Sequence, residues 1–218
     1  MPDNAARTTL PKALWVTVAV FVATVAQLLV ATLASGLPQF AGKGFGARLV
    51  AYPLLMLVVP ALWVLVRRLR HQPLTTDVPW SGFALVMAPF LIDVTGNTLN
   101  LYDTVAWWDD ANHLVNWFLL CGGIGVLLLR TAIWPPWALG LVVAGVGSLL
   151  ALGWELAEWY TFIRHGTELA TAYEDTLGDQ ALGTVGAALA GVLVARLARR
   201  RDGDADVHAP REPRSATA

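Results

Sequence analysis

The chain has 218 residues, of which 56% are hydrophobic and only 14% charged, and its mean hydropathy is +0.55. Soluble domains carry about 25% charged residues, so this balance excludes an ordinary soluble domain and points to a membrane protein. The net charge of −1, with no basic stripe interleaved with aromatics, argues against nucleic acid as a partner.

Crossing a bilayer takes roughly 20 predominantly apolar residues. Six segments qualify, at approximately 13–35, 48–66, 80–102, 113–129, 135–159 and 177–195. The first, ALWVTVAVFVATVAQLLVATLAS, exceeds the roughly 7–15-residue apolar core of a cleavable signal peptide and is expected to be retained. Lipid offers no partner to unpaired backbone groups, so the spans must be helical. The expectation is an all-α polytopic membrane bundle of about six transmembrane helices.

Orientation follows from the basic residues. With the N-terminus inside, the inner segments hold Arg7, Lys12, Arg67, Arg68, Arg70, Arg130, Arg196, Arg199, Arg200 and Arg201, against Lys43, Arg48 and Arg164 outside. Ten against three gives N-in and C-in. Residues 1–12 then form a cytoplasmic segment, 13–198 the transmembrane domain and 199–218 a cytoplasmic tail. That tail, polar and without an apolar period, reads as disordered.

Polar residues enter the later spans at one end. Asp93 lies about two thirds of the way across the third span at ~1.5 Å per residue, with Asn97 and Asn100 following on its face. A carboxylate at that depth costs at least ~2.5 kcal/mol, which makes it a functional candidate by default. The fourth span opens with WWDDANHLVNW, where Asp109, His113 and Asn116 share a helical face. The fifth closes with GWELAEWYTF, placing Glu155 and Glu158 side by side while Trp154 and Trp159 are free to face lipid. The sixth opens with YEDTLGDQALGT, where Asp175 and Asp179 are four apart, and continues into the small-residue stripe Gly183, Ala187, Gly191 that favours close helix packing.

Simpler roles compete for some of these residues. Asp109, Asp110 and Asp175 sit at helix starts, where acids cap free amides and complement the helix dipole; Asp110 is expected to be solvated. Glu155 and Glu158 lie at a helix C-terminal end, where the dipole disfavours negative charge, so capping does not explain them. His71, Cys121 and His208 read as ordinary residues, and His165 as a solvated loop residue. There is no P-loop, GxGxxG, HExxH or GxSxG pattern, so nucleotide chemistry and the standard protease mechanisms have no support.

Carboxylates clustered in one region cannot all stay ionised without a cation, because like charges disfavour each other's ionisation. Either a metal ion or bound protons must balance them. Carboxylate oxygens with one imidazole suit Zn²⁺, Mn²⁺, Fe or, less well, Ca²⁺. The candidate ligands of a divalent metal are Asp109, His113, Glu155, Glu158, Asp175 and Asp179, and the candidate acid–base groups are Glu155, Glu158 and Asp93.

At these residues the chain resembles an uncharacterised bacterial inner-membrane family typified by the protein YjdF. The matching pieces, over about 103–195, are WDDANHL with Asp109 and His113, ELAEW with Glu155 and Glu158, and EDTLGD with Asp175, Thr176 and Asp179. Trp108, Leu114 and Glu174 depart from the family's Tyr, Phe and Trp, and the segment before Asp175 is shortened. The resemblance implies a multi-pass protein of the bacterial cytoplasmic membrane and brings no reaction with it.

Three functions remain open. One is a metal-dependent enzyme acting on a lipid or lipid-linked envelope substrate, with the loop at roughly 160–176 covering the site. Another is a proton- or cation-coupled transporter using Asp93 and the glutamates, although the inner halves of the fourth and sixth spans are apolar and no internal repeat is visible. The third is a structural or assembly subunit whose polar cluster locks helices together.

Overall fold

The computed structural model describes residues 11–131, 134–164 and 170–208. Among these the chain is entirely helical: α1 (Lys12–Leu33), α2 (Phe45–Leu69), α3 (Trp80–Thr98), the single turn α4 (Leu101–Thr104), α5 (Trp108–Leu129), α6 (Pro136–Glu158) and α7 (Ala172–His208). The residues before 11, the loop residues 165–169 with His165, and the tail beyond 208 lie outside the described residues.

Helix boundaries follow local chemistry. Gly44 adopts a left-handed conformation (φ 64°) immediately before α2, a geometry that glycine takes without a Cβ clash. Pro136 opens α6 at its first position, where the missing amide hydrogen costs nothing. α6 does not stop cleanly after Glu158. It runs into a π-helical turn, Trp159–Ile163, closed by the Arg164 amide donating to the Trp159 carbonyl at 2.9 Å.

Five helices among the described residues are long and apolar enough to cross a membrane: α1, α2, α5, α6 with its π turn, and α7. The exception is α3, where Asp93, Asn97 and neighbouring small polar residues dilute the apolar content. It is also shorter than the expected 80–102 span. Asn100 takes a left-handed conformation (φ 60°) after Thr98, so it leaves the Asp93–Asn97 face. At the other end of the chain, α7 continues as helix to His208, through Arg199, Arg200 and Arg201, where the sequence suggested the start of a disordered tail.

Three packed groups build the bundle, the smallest being Met56, Val86 and Met87 between α2 and α3. Leu28, Ala31, Phe45, Tyr52 and Val94 form a core among α1, α2 and α3. Trp117, Cys121, Val143, Ala151, Ala187 and Val194 form a second among α5, α6 and α7. Small residues permit the close approaches. A Cβ on Gly140 would sit 2.8 Å from the Gly191 carbonyl, so α6 and α7 meet backbone to backbone there. The groups join along α3 and α5, where a Cβ on Gly123 would fall 2.9 Å from the Gly82 carbonyl. Many large apolar side chains remain exposed on the outer faces, Val50, Leu54, Leu141 and Leu149 among them, as lipid-facing positions require.

Candidate functional site

At one end of this seam lies a cavity of about 300 Å³. Five helix ends surround it: the starts of α2, α5 and α7 and the ends of α3 and α6. Asp93, Asp109, His113, Glu158, Asp175 and Asp179 all line it, so residues from four helices share one chamber. Asn97, Asn112 and Asn116 complete its polar wall, while Phe90, Leu120 and Ile163 supply apolar surface.

His113 is the hub of one half. Its Nε2 lies 3.7 Å from Asp109 Oδ1 and 3.8 Å from Asp179 Oδ2, and its Nδ1 lies 3.5 Å from Glu155 Oε1. Asp109, His113 and Asp179 can bring one ligand atom each within 4.8 Å of one another, as can His113, Glu155 and Glu158. Helical spacing explains how: Asp109 and His113 are one turn apart on α5, and Glu155 sits almost one turn before Glu158 on α6. Glu155 and Asp179 are buried, whereas the Asp109 side chain is 45% exposed. Glu155 lies behind the imidazole, outside the cavity lining.

Several buried atoms here lack a hydrogen-bond partner. His113 Nδ1, Glu155 Oε1 and Asn116 Oδ1 are each sealed from solvent and unpaired. Buried polar groups in folded proteins are nearly always satisfied, so orphans of this kind need a reason. Among the described residues, Asp109, Glu155 and Asp179 have no Lys or Arg ion-pair partner and face only His113. The group is therefore short of positive charge.

Asp93 occupies the other half and is fully partnered. Its Oδ2 accepts from Arg48 Nη1 at 2.8 Å and from the Tyr52 hydroxyl at 2.5 Å. Its Oδ1 accepts from the Tyr102 hydroxyl at 2.7 Å and from Asn97 Nδ2 at 3.2 Å. Burial first, and then the adjacent Asp93 charge, push the Tyr102 hydroxyl well above its ordinary range, which keeps it a proton donor. Charge here is balanced, in contrast with the His113 half.

The remaining candidates divide. Asp175 lines the cavity but is exposed and belongs to neither three-residue group. Asp110 is exposed. Trp154, expected to face lipid, instead lines the cavity, because α6 turns the face bearing Trp154 and Glu158 toward α3 and α5. The π turn brings Ile163 back into the lining as well, and its side chain is buried.

Sequence reasoning missed Arg48, Tyr52 and Tyr102. Arg48 entered only as a loop charge in the orientation count. The usable signal was the Arg48–Tyr52 pair, four apart at the start of a span, opposite an intramembrane acid.

A family model described as a predicted membrane protein family, DUF2238, matches residues 14–200 and so covers the bundle and the cavity. No curated protein and no solved structure matches the chain.

Proposed function

The chain belongs to the DUF2238 membrane protein family, and from that premise we propose that it is a metal-dependent enzyme acting on a lipid or lipid-linked substrate. The carrying observation is the imidazole of His113, which has carboxylates facing both ring nitrogens and, among the described residues, no Lys or Arg ion-paired with them. A divalent cation fits the cavity side of the ring, held by His113 Nε2, Asp109 and Asp179. A tetrahedral site with bonds of ~2.1 Å has ligand–ligand edges of about 3.4 Å, a few tenths shorter than the observed 3.7 and 3.8 Å. The third pair, Asp109 and Asp179, can bring ligand atoms within 4.8 Å, so the three ligands would draw together on binding.

Glu155 then has a distinct role. A metal-ligating histidine normally donates its other ring N–H to a carboxylate, which fixes the ring's tautomer and orientation. With Nε2 on a metal, Nδ1 would carry the ring proton and donate a hydrogen bond to Glu155 Oε1, so the two orphaned atoms would satisfy each other. Glu158, which lines the cavity outside this ligand set, would act as general base. A cation held there would supply Lewis acidity or an activated water. The apolar lining and the surrounding bilayer favour an amphiphilic substrate.

The excess of Lys and Arg at the opposite end of the helices supports an N-in, C-in orientation. The cavity would then open toward the outer face of a bacterial cytoplasmic membrane. The transporter reading has weaker support: the core between α5, α6 and α7 below the cavity is built from Cys121, Val143, Ala187 and Val194, which offer no polar path.

Incubation of the purified protein with a total lipid extract, followed by mass spectrometry, tests the enzymatic reading. New lipid species should form only with divalent metal present and should disappear in His113→Ala. A lipid profile unchanged by wild-type protein, with each of Zn²⁺, Mn²⁺ and Mg²⁺, would count against it.

A further inference from the structure

Arg48, from α2, lines the same cavity that His113 lines from α5. Its side chain is 22% exposed, and among the described residues it uses one amino group, Nη1, for both Asp93 and Tyr52. Neither Nη2 nor Nε is among the buried atoms left without a partner. Those two donors therefore keep accessible surface, and Arg48 is one of the residues that line the cavity.

The surroundings hold this guanidinium in place. Asp93 Oδ2 anchors Nη1 at 2.8 Å while Tyr52 and Tyr102 brace the same carboxylate. The Arg48 guanidinium also lies 5.8 Å from the centroid of the Tyr52 ring. An arginine fixed on one edge with a free planar fork on the other matches the geometry of an oxyanion. The starts of α2, α5 and α7 all meet the same chamber, and helix N-termini favour negative charge.

We propose that Arg48 forms an anion subsite that binds the phosphoryl group of the substrate, so that the substrate class is a phosphate ester. The inference rests on the metal reading above and deepens it. A carboxylate has two oxygens, whereas a phosphoryl group has enough to meet the free edge of Arg48 and a cation at His113 together. In a wall otherwise rich in acids, these two positive centres are what admit an anion. The lining residues Phe90, Leu120 and Ile163 give the ester's organic portion an apolar surface.

The test is protection of Arg48 from phenylglyoxal, a guanidine-specific reagent, followed by peptide mass spectrometry on the full chain in detergent. Dihexanoyl phosphatidic acid, inorganic phosphate and dihexanoylglycerol serve as probes, with Mn²⁺ present, and bound metal is measured on the same samples. Phosphatidic acid should slow modification by about tenfold, the worth of one charge-assisted contact, and dihexanoylglycerol should not. Equal protection by inorganic phosphate would support the subsite with a free phosphate as its occupant; protection by the lipid alone would support a headgroup.

Protection by neither phosphate probe, or equal protection by dihexanoylglycerol, overturns the inference. Binding of phosphatidic acid to the neutral double variant Arg48→Gln/Asp93→Asn gives a second reading, expected to be about tenfold weaker; unchanged affinity overturns the proposal. If that variant does not fold, the wild-type protection assay decides. Metal present without protection defeats the subsite alone, and protection in metal-free protein defeats the metal reading alone.

Discussion

His113 Nδ1 and Glu155 Oε1 face each other at 3.5 Å, both buried and neither with a hydrogen bond. One proton placed between them resolves both deficits, and a cation on the opposite ring nitrogen fixes the proton there. This relationship joins a residue of α5 to one of α6 and sets the chemistry expected of the whole cavity.

Glu155→Gln tests the orienting role. The amide keeps the shape but accepts a weaker hydrogen bond and carries no charge. Metal affinity should fall by about 10–100-fold, the usual effect of removing such a partner, while the protein stays folded. Competition titration with a chromogenic chelator measures it. An affinity equal to wild type would show that Glu155 does not act on the imidazole.

Glu158→Gln should separate binding from turnover. The protein should retain its metal and lose about 10²–10⁴-fold in rate, the typical worth of a positioned general base. Metal content and product formation are measured on one preparation. Loss of metal in this variant would move Glu158 from the base to the ligand set.

The Arg48–Asp93 pair should behave as a unit. Removing only one partner leaves a largely buried charge uncompensated, and Asp93→Asn or Arg48→Gln alone is expected to cost about 3 kcal/mol. The double variant should recover most of that stability. Thermal unfolding in detergent, arranged as a double-mutant cycle, reads the coupling; strict additivity would contradict the pairing.

Gly183→Val should disturb the site from a distance. A Cβ at Gly183 would approach Trp117 Cδ1 to 2.8 Å, and Trp117 lines the cavity. Overpacking of this kind costs typically about 1–3 kcal/mol, and here it also displaces an aromatic ring of the cavity wall. Both the unfolding temperature and the metal affinity should fall, whereas Gly145→Ala, inside α6 where a Cβ meets nothing within 4 Å, should leave the metal affinity unchanged and hold or slightly raise the unfolding temperature.

Much of this was legible in sequence. Hydropathy marked the spans, and helical spacing placed Asp109 with His113 and Glu155 with Glu158 before any contact was known. Those signals are local, set by one helix at a time. What stayed hidden depends on how helices rotate against each other. Spacing along α3 correctly paired Asp93 with Asn97, yet it could not show that Arg48 and Tyr52 of α2 neutralise that acid, because the partner lies 45 residues away. For the same reason spacing leaves Trp154 free to face lipid, whereas the packed bundle turns it into the cavity wall. The helix limits at Asn100 and in the π turn arise from backbone conformations that apolar periodicity does not encode.

The central claim is that a divalent cation balances the acids around His113, and elemental analysis of purified protein tests it most directly. Wild-type chain prepared without chelators should carry about one divalent ion, bound through deprotonated ligands as metal sites require. His113→Ala and the double variant Glu155→Ala/Glu158→Ala, purified in parallel and shown to be folded, should carry far less. Folded wild-type protein that holds no metal, and gains none on incubation with Zn²⁺ or Mn²⁺, would contradict the account.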